Sequence, residues 1–153
     1  MVKNSRDGKA RKTGRTTGTR GRVSVEQAII AVVIAAMDAN QHVSREEAWR
    51  AQHIIESMRR FRNRPRQQVN RLIDTVRTRI KERGKDIVLR EAVRVLPARI
   101  RPSAFAVAVD VILADAKLES AEKRFVKELA AMLKIQPQLA DYLIRAMMIK
   151  NTV

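Results

Sequence analysis

The chain has 153 residues, 45% of them apolar, which is enough to build one ordinary domain around a single core. It contains no cysteine, so disulfides, thiolate nucleophiles, zinc–thiolate sites and iron–sulfur clusters are excluded. The net charge of +16 is segmental: residues 1 to 22 hold eight Lys or Arg and one Asp, residues 59 to 85 hold eleven and two acids, and the remainder is neutral. That distribution points to an acidic partner, with a merely solvated arginine-rich face as the competing explanation.

Residues 1 to 22 carry four of the five glycines and almost no apolar side chains. Such a segment cannot bury enough surface to offset its ordering entropy, and it is expected to form a disordered basic arm ahead of a helical domain over residues 23 to 153. The longest apolar run, Ala28 to Met37, has ten residues. A membrane span needs about 20, and no apolar segment of a signal peptide follows the N-terminal charges, so a cytoplasmic location is expected.

From Val23 onward the apolar residues recur with helical periodicity and nowhere alternate over a strand length, which predicts an all-α protein of about seven helices. Ser24 with Gln27, and Ser44 with Glu47, read as capping boxes that open the first two helices. Pro65 opens a third, with Val69, Leu72, Ile73, Val76 and Ile80 on one face and Gly84 as its stop. The fourth is expected from Asp86 to Leu96, ended by Pro97. Pro102 begins the fifth, Glu119 with Glu122 the sixth, and Pro137 the seventh.

Within this series lies a repeat with an offset of 75 residues. Ala31 to Glu47, AVVIAAMDANQHVSREE, aligns with Ala106 to Glu122, AVAVDVILADAKLESAE. Each copy is an almost wholly apolar helix, a short polar turn containing one aliphatic residue, and a capped amphipathic helix. Two such pairs suggest a pseudo-symmetric bundle, with the third and fourth helices as the connection.

The two turns also carry a family resemblance. Leu113 to Ile135, LADAKLESAEKRFVKELAAMLKI, resembles the signature of the tellurite-resistance TerB family: an apolar helix ending in Asp-Gly, an aliphatic three residues after the Asp, a Glu seven after it, and a second apolar helix. Here these positions are Asp115, Leu118 and Glu122, and the first copy is similar at Asn40, Val43 and Glu47. The resemblance extends over about residues 24 to 150. It implies a bacterial helical bundle linked with tellurite or general chemical-stress resistance, with acidic residues at the turns as divalent-metal ligands. The chain departs from the signature where the Gly is replaced by Gln41 and by Ala116, and where the first Asp is Asn40.

Asp115 and Glu122, with Glu119 and Asp110 nearby, could offer oxygen ligands to a divalent cation. The heavier reading of Glu122 is a cap, because the third helical position favours a carboxylate that satisfies backbone donors and complements the dipole; Glu47 stands in the same relation to Ser44. His42 near Asp38 lacks a nucleophile beside it, and no phosphate loop, HExxH or GxSxG is present, so a non-enzymatic protein is expected. Trp49, Phe61, Phe105, Phe125 and Tyr142 are read as core residues, not as a base-stacking platform. Arg59, Arg60, Arg62, Arg64 and Arg66 form a candidate phosphate-contacting stretch for nonspecific nucleic-acid or anionic-surface binding, alongside an expected but unspecified protein partner. Deleting residues 1 to 22 is expected to leave the thermal midpoint nearly unchanged in a calorimetric melt, whereas a loss of several degrees would mean that the arm docks on the bundle.

Overall fold

The computed structural model describes residues 22–40, 43, 45–113 and 118–152. Among the described residues all regular structure is helical: α1 (Val25–Met37), α2 (Arg45–Ser57), α3 (Arg66–Arg83), α4 (Lys85–Val95), α5 (Arg101–Ile112), α6 (Ser120–Met132) and α7 (Pro137–Lys150). Two 3-10 turns, Asp38–Asn40 and Ala98–Ile100, lead out of α1 and into α5. Neither turn has a signal in the apolar periodicity.

The arrangement follows from α1. Nine consecutive residues, Ala28 to Ala36, are buried, so the helix has no solvent face. A helix that is apolar all round must be enclosed. α4, α5, α3 and α2 surround it, while α3 also packs on α4 and α7 on α5. Burial of each of Ile29, Ile30, Val32 and Val33 contributes about 1.5–3 kcal/mol. The start of α1 is fixed by the expected capping box: Gln27 N–H donates to Ser24 Oγ at 3.1 Å, and Ser24 N–H donates to Gln27 Oε1 at 3.0 Å.

The 75-residue offset holds in the helix boundaries. It maps α2, Arg45–Ser57, end to end onto α6, Ser120–Met132, and carries α1 onto α5 within a residue at its start. The copies interlock, because α2 leans on α5 while the 3-10 turn Asp38–Asn40 packs on α6. Phe61 and Phe105 are fully buried and Phe125 is packed against the core, as expected. Trp49 and Tyr142 are not core residues: they are 60% and 70% exposed. The buried residues of α2 are Ala51 and Ile55, and Trp49 projects away from that stripe, stacking on His53 with ring centroids 4.2 Å apart.

Gly84 joins α3 directly to α4. Its φ of +86° and ψ of 146° lie where a side chain is strained, although nothing stands within 4 Å of an added Cβ. Its N–H still donates to Ile80 O at 2.9 Å, completing the last turn of α3. At the end of α6 the left-handed position is occupied by Lys134, φ +55°, and Ile135 N–H reaches back to Ala130 O at 2.9 Å. Two substitutions separate conformation from contact. Gly84→Ala is expected to cost about 1–3 kcal/mol despite the open space, and Lys134→Gly to add about 0.5–1 kcal/mol, both read from urea midpoints.

Candidate functional site

The second acidic turn is reached from α5 and α6. α5 supplies Asp110, whose carboxylate receives Lys150 Nζ at 2.7 and 2.8 Å and Asn151 Nδ2 at 2.9 Å. This aspartate therefore ties the end of α7 to α5. Glu119 caps α6 and is exposed, while Glu122, at the third helical position, is only 2% exposed. Its carboxylate accepts the Glu119 backbone N–H at 2.7 Å, as the capping reading requires. Leu118 packs against the core beside them. Asp115 and Ala116 lie outside the described residues.

In the first copy Asn40 closes the 3-10 turn that packs on α6, and Glu47 lies in the first turn of α2. Gln41, His42 and Ser44 are outside the described residues, and with Ser44 goes the second expected capping box. The first turn is thus a neighbour of α6, the helix that follows the second turn in sequence. Among the described residues, no group of three or more His, Asp or Glu side chains is placed to hold a metal ion.

The arginine stretch occupies the connection between α2 and α3 and the start of α3. Arg60 Nη1 and Arg64 Nη2 lie 3.0 and 3.3 Å from Glu26 Oε1 in the first turn of α1, and Arg66 Nε lies 3.2 Å from Glu56 Oε1. Arg59 and Arg62 are exposed and make no ion pair with the described residues. These contacts bring the most basic segment against the end of α1 at which residues 1 to 22 join. On the same end of the bundle Arg99 and Ser103 face Arg59 and Arg60 across an open cleft. Sequence reasoning missed Glu26, Arg99 and Ser103, since only the folded chain brings them to the arginines.

Burial pushes the Glu26 carboxyl up, but its backbone hydrogen bond and the guanidinium groups of Arg60 and Arg64 outweigh this and hold it below the usual carboxylate range. A depressed native value means that the ionised group stabilises the fold above the unfolded value of 4.5, and that this contribution is lost as pH falls through the native one. Both arginines are more than a third exposed, so screening limits the effect. Glu26→Gln is expected to cost about 1 kcal/mol at neutral pH, and the gap between variant and parent in urea unfolding to close as pH is lowered below 4.5.

No curated protein and no solved structure matches the chain at a significant level. The family described as tellurite resistance protein TerB matches residues 26–144, from the first turn of α1 into the middle of α7. That span includes both repeated helix pairs and both turns, and with more than half of the sequence covered, the chain belongs to the TerB family.

Proposed function

We propose that the protein acts by binding and not by catalysis, as a TerB-family module serving tellurite tolerance or a general chemical-stress response. The use made of the acidic side chains carries the non-catalytic part of this reading. Asp110 is held by Lys150 and Asn151, and the buried Glu122 receives a backbone N–H, so both act as structural anchors. A general base or nucleophile needs a carboxylate aimed at substrate instead. A divalent cation at the second turn would draw on Asp115 and Glu122, with Glu119 beside them; hard cations require several oxygens, so the site would be single and weak. Calorimetry with magnesium, calcium, manganese and zinc tests this, and no heat at millimolar metal would leave Glu122 as a cap alone. For the stress role, cells lacking the protein should lose tolerance to tellurite or to other chemical stress, and growth equal to wild type under these challenges would remove it.

A second reading is nonspecific binding of nucleic acid through the basic arm and residues 59 to 85. It is favoured by the Glu26 contacts, which set Arg59 to Arg66 beside the point where the arm joins α1. Clustered positive charge binds phosphates by releasing counterions, without reading bases. Duplex DNA should then bind with little sequence preference, and log affinity should fall linearly with log salt. Replacing Arg59, Arg60, Arg62, Arg64 and Arg66 by Gln should weaken all sequences alike and flatten the slope by about 0.9 for each phosphate that is no longer neutralised. Absence of binding at low salt in fluorescence anisotropy would dispose of this reading.

A further inference from the structure

Two connections far apart in sequence meet at the end of the bundle where α1 begins. One follows α2 and carries Arg59 and Arg60; the other is the 3-10 turn Ala98–Ile100 and the first turn of α5. Between them lies an open cleft of about 770 Å³. Small-molecule sites measure about 300–1,000 Å³.

The lining has one chemical character. Its polar side chains are Arg59, Arg60, Arg99 and Ser103, and its apolar floor is Ile29, Met58 and Ile100. Three guanidinium groups offer donors only, and among the described residues no carboxylate lines the cleft. A metal ion or an amine would find no anionic partner there. Glu26 offsets the charge of Arg60 at 3.0 Å, whereas Arg59 and Arg99 are exposed and make no ion pair with the described residues. Two positive charges are therefore left facing one cleft, where their mutual repulsion is relieved by an anion. A phosphate monoester carries a charge of about −1.5 to −2 at neutral pH and presents the oxygen geometry that a guanidinium fork matches. The opening turn of α5 contributes the positive end of its dipole from the same side.

The floor narrows the ligand further. Inorganic phosphate or the outer face of a duplex has no use for Ile29, Met58 and Ile100, but the body of an organic phosphate does. We propose that this cleft binds a small organic phosphate of about nucleotide size, its phosphate between Arg59 and Arg99 and its body on the Ile29, Met58 and Ile100 floor. The proposal rests on the anionic-partner reading above for Arg59 and Arg60, but it depends on Arg99 and Ser103, which that reading does not use.

The full chain should be titrated with ADP, with inorganic phosphate and with vesicles containing phosphatidic acid, using calorimetry and amide chemical shifts. ADP should bind at millimolar concentration or below and shift amides around Met58 and Ile100, with inorganic phosphate at least about tenfold weaker, a difference of about 1.4 kcal/mol. Arg99→Gln and Arg59→Gln should each weaken ADP about tenfold with unchanged melting, while Arg99→Gln should leave duplex DNA affinity within about twofold. Deleting residues 1 to 22 should spare ADP binding. The proposal is overturned if ADP produces no shift, if both variants bind it like the parent, if inorganic phosphate binds as tightly, or if only the vesicles bind. Duplex binding without ADP binding would sink the proposal and leave the nucleic-acid reading standing; ADP binding without duplex binding would do the reverse.

Discussion

α1 has no polar face, and this constraint organises the bundle. Nine successive buried residues cannot be covered by one or two neighbours, so α2, α3, α4 and α5 must all close on the same helix. α3 and α4 need only one apolar stripe each: Val69, Ile73 and Val76 suffice in α3, and Val88, Leu89, Ala92 and Val93 in α4. Their remaining faces are free to carry charge, which is why the surplus positive charge of residues 59 to 85 can sit there without disturbing the core.

The helix order and most boundaries were legible because their causes are local. Ser24 and Gln27 cap one another across three residues, and Pro137 stands where it can only begin a helix. The repeat was legible for the same reason, since matching apolar runs and matching caps produce matching helices. What was not legible depends on tertiary neighbours. The ion pairs of Glu26 join residues 34 and 38 positions apart. The exposure of Trp49 reflects which side of α2 meets α1 and α5, and an aromatic residue on a short amphipathic helix does not announce its side. Of the acidic candidates, Glu122 had a local signature and took the role that it indicated. Asp110 had none, because its partner Lys150 is 40 residues away.

The two copies of the repeat differ in charge while sharing helix boundaries. In the second copy two carboxylates make internal ties, Asp110 to α7 and Glu122 to the start of α6. The start of the first copy instead holds a carboxylate, Glu26, against two arginines, and the surplus arginines look outward. A duplicated helix pair can diverge in this way because the shared requirement, an apolar first helix, constrains neither the turn nor the outer face.

The same nine residues that demand enclosure also create a hazard before enclosure is complete. Ala28 to Ala36 is rich in β-branched side chains and lacks proline, glycine and charge, the composition of a segment prone to cross-β association when unprotected. α5, one of the neighbours that must cover it, is synthesised some 70 residues later, so a growing chain exposes this stretch throughout the interval. Glu26 and Asp38 flank it as charged breakers, and the strongly positive segment just ahead of it makes one nascent chain repel another. Quite apart from any ligand, positive charge placed next to this apolar stretch disfavours the association of one unfinished chain with another.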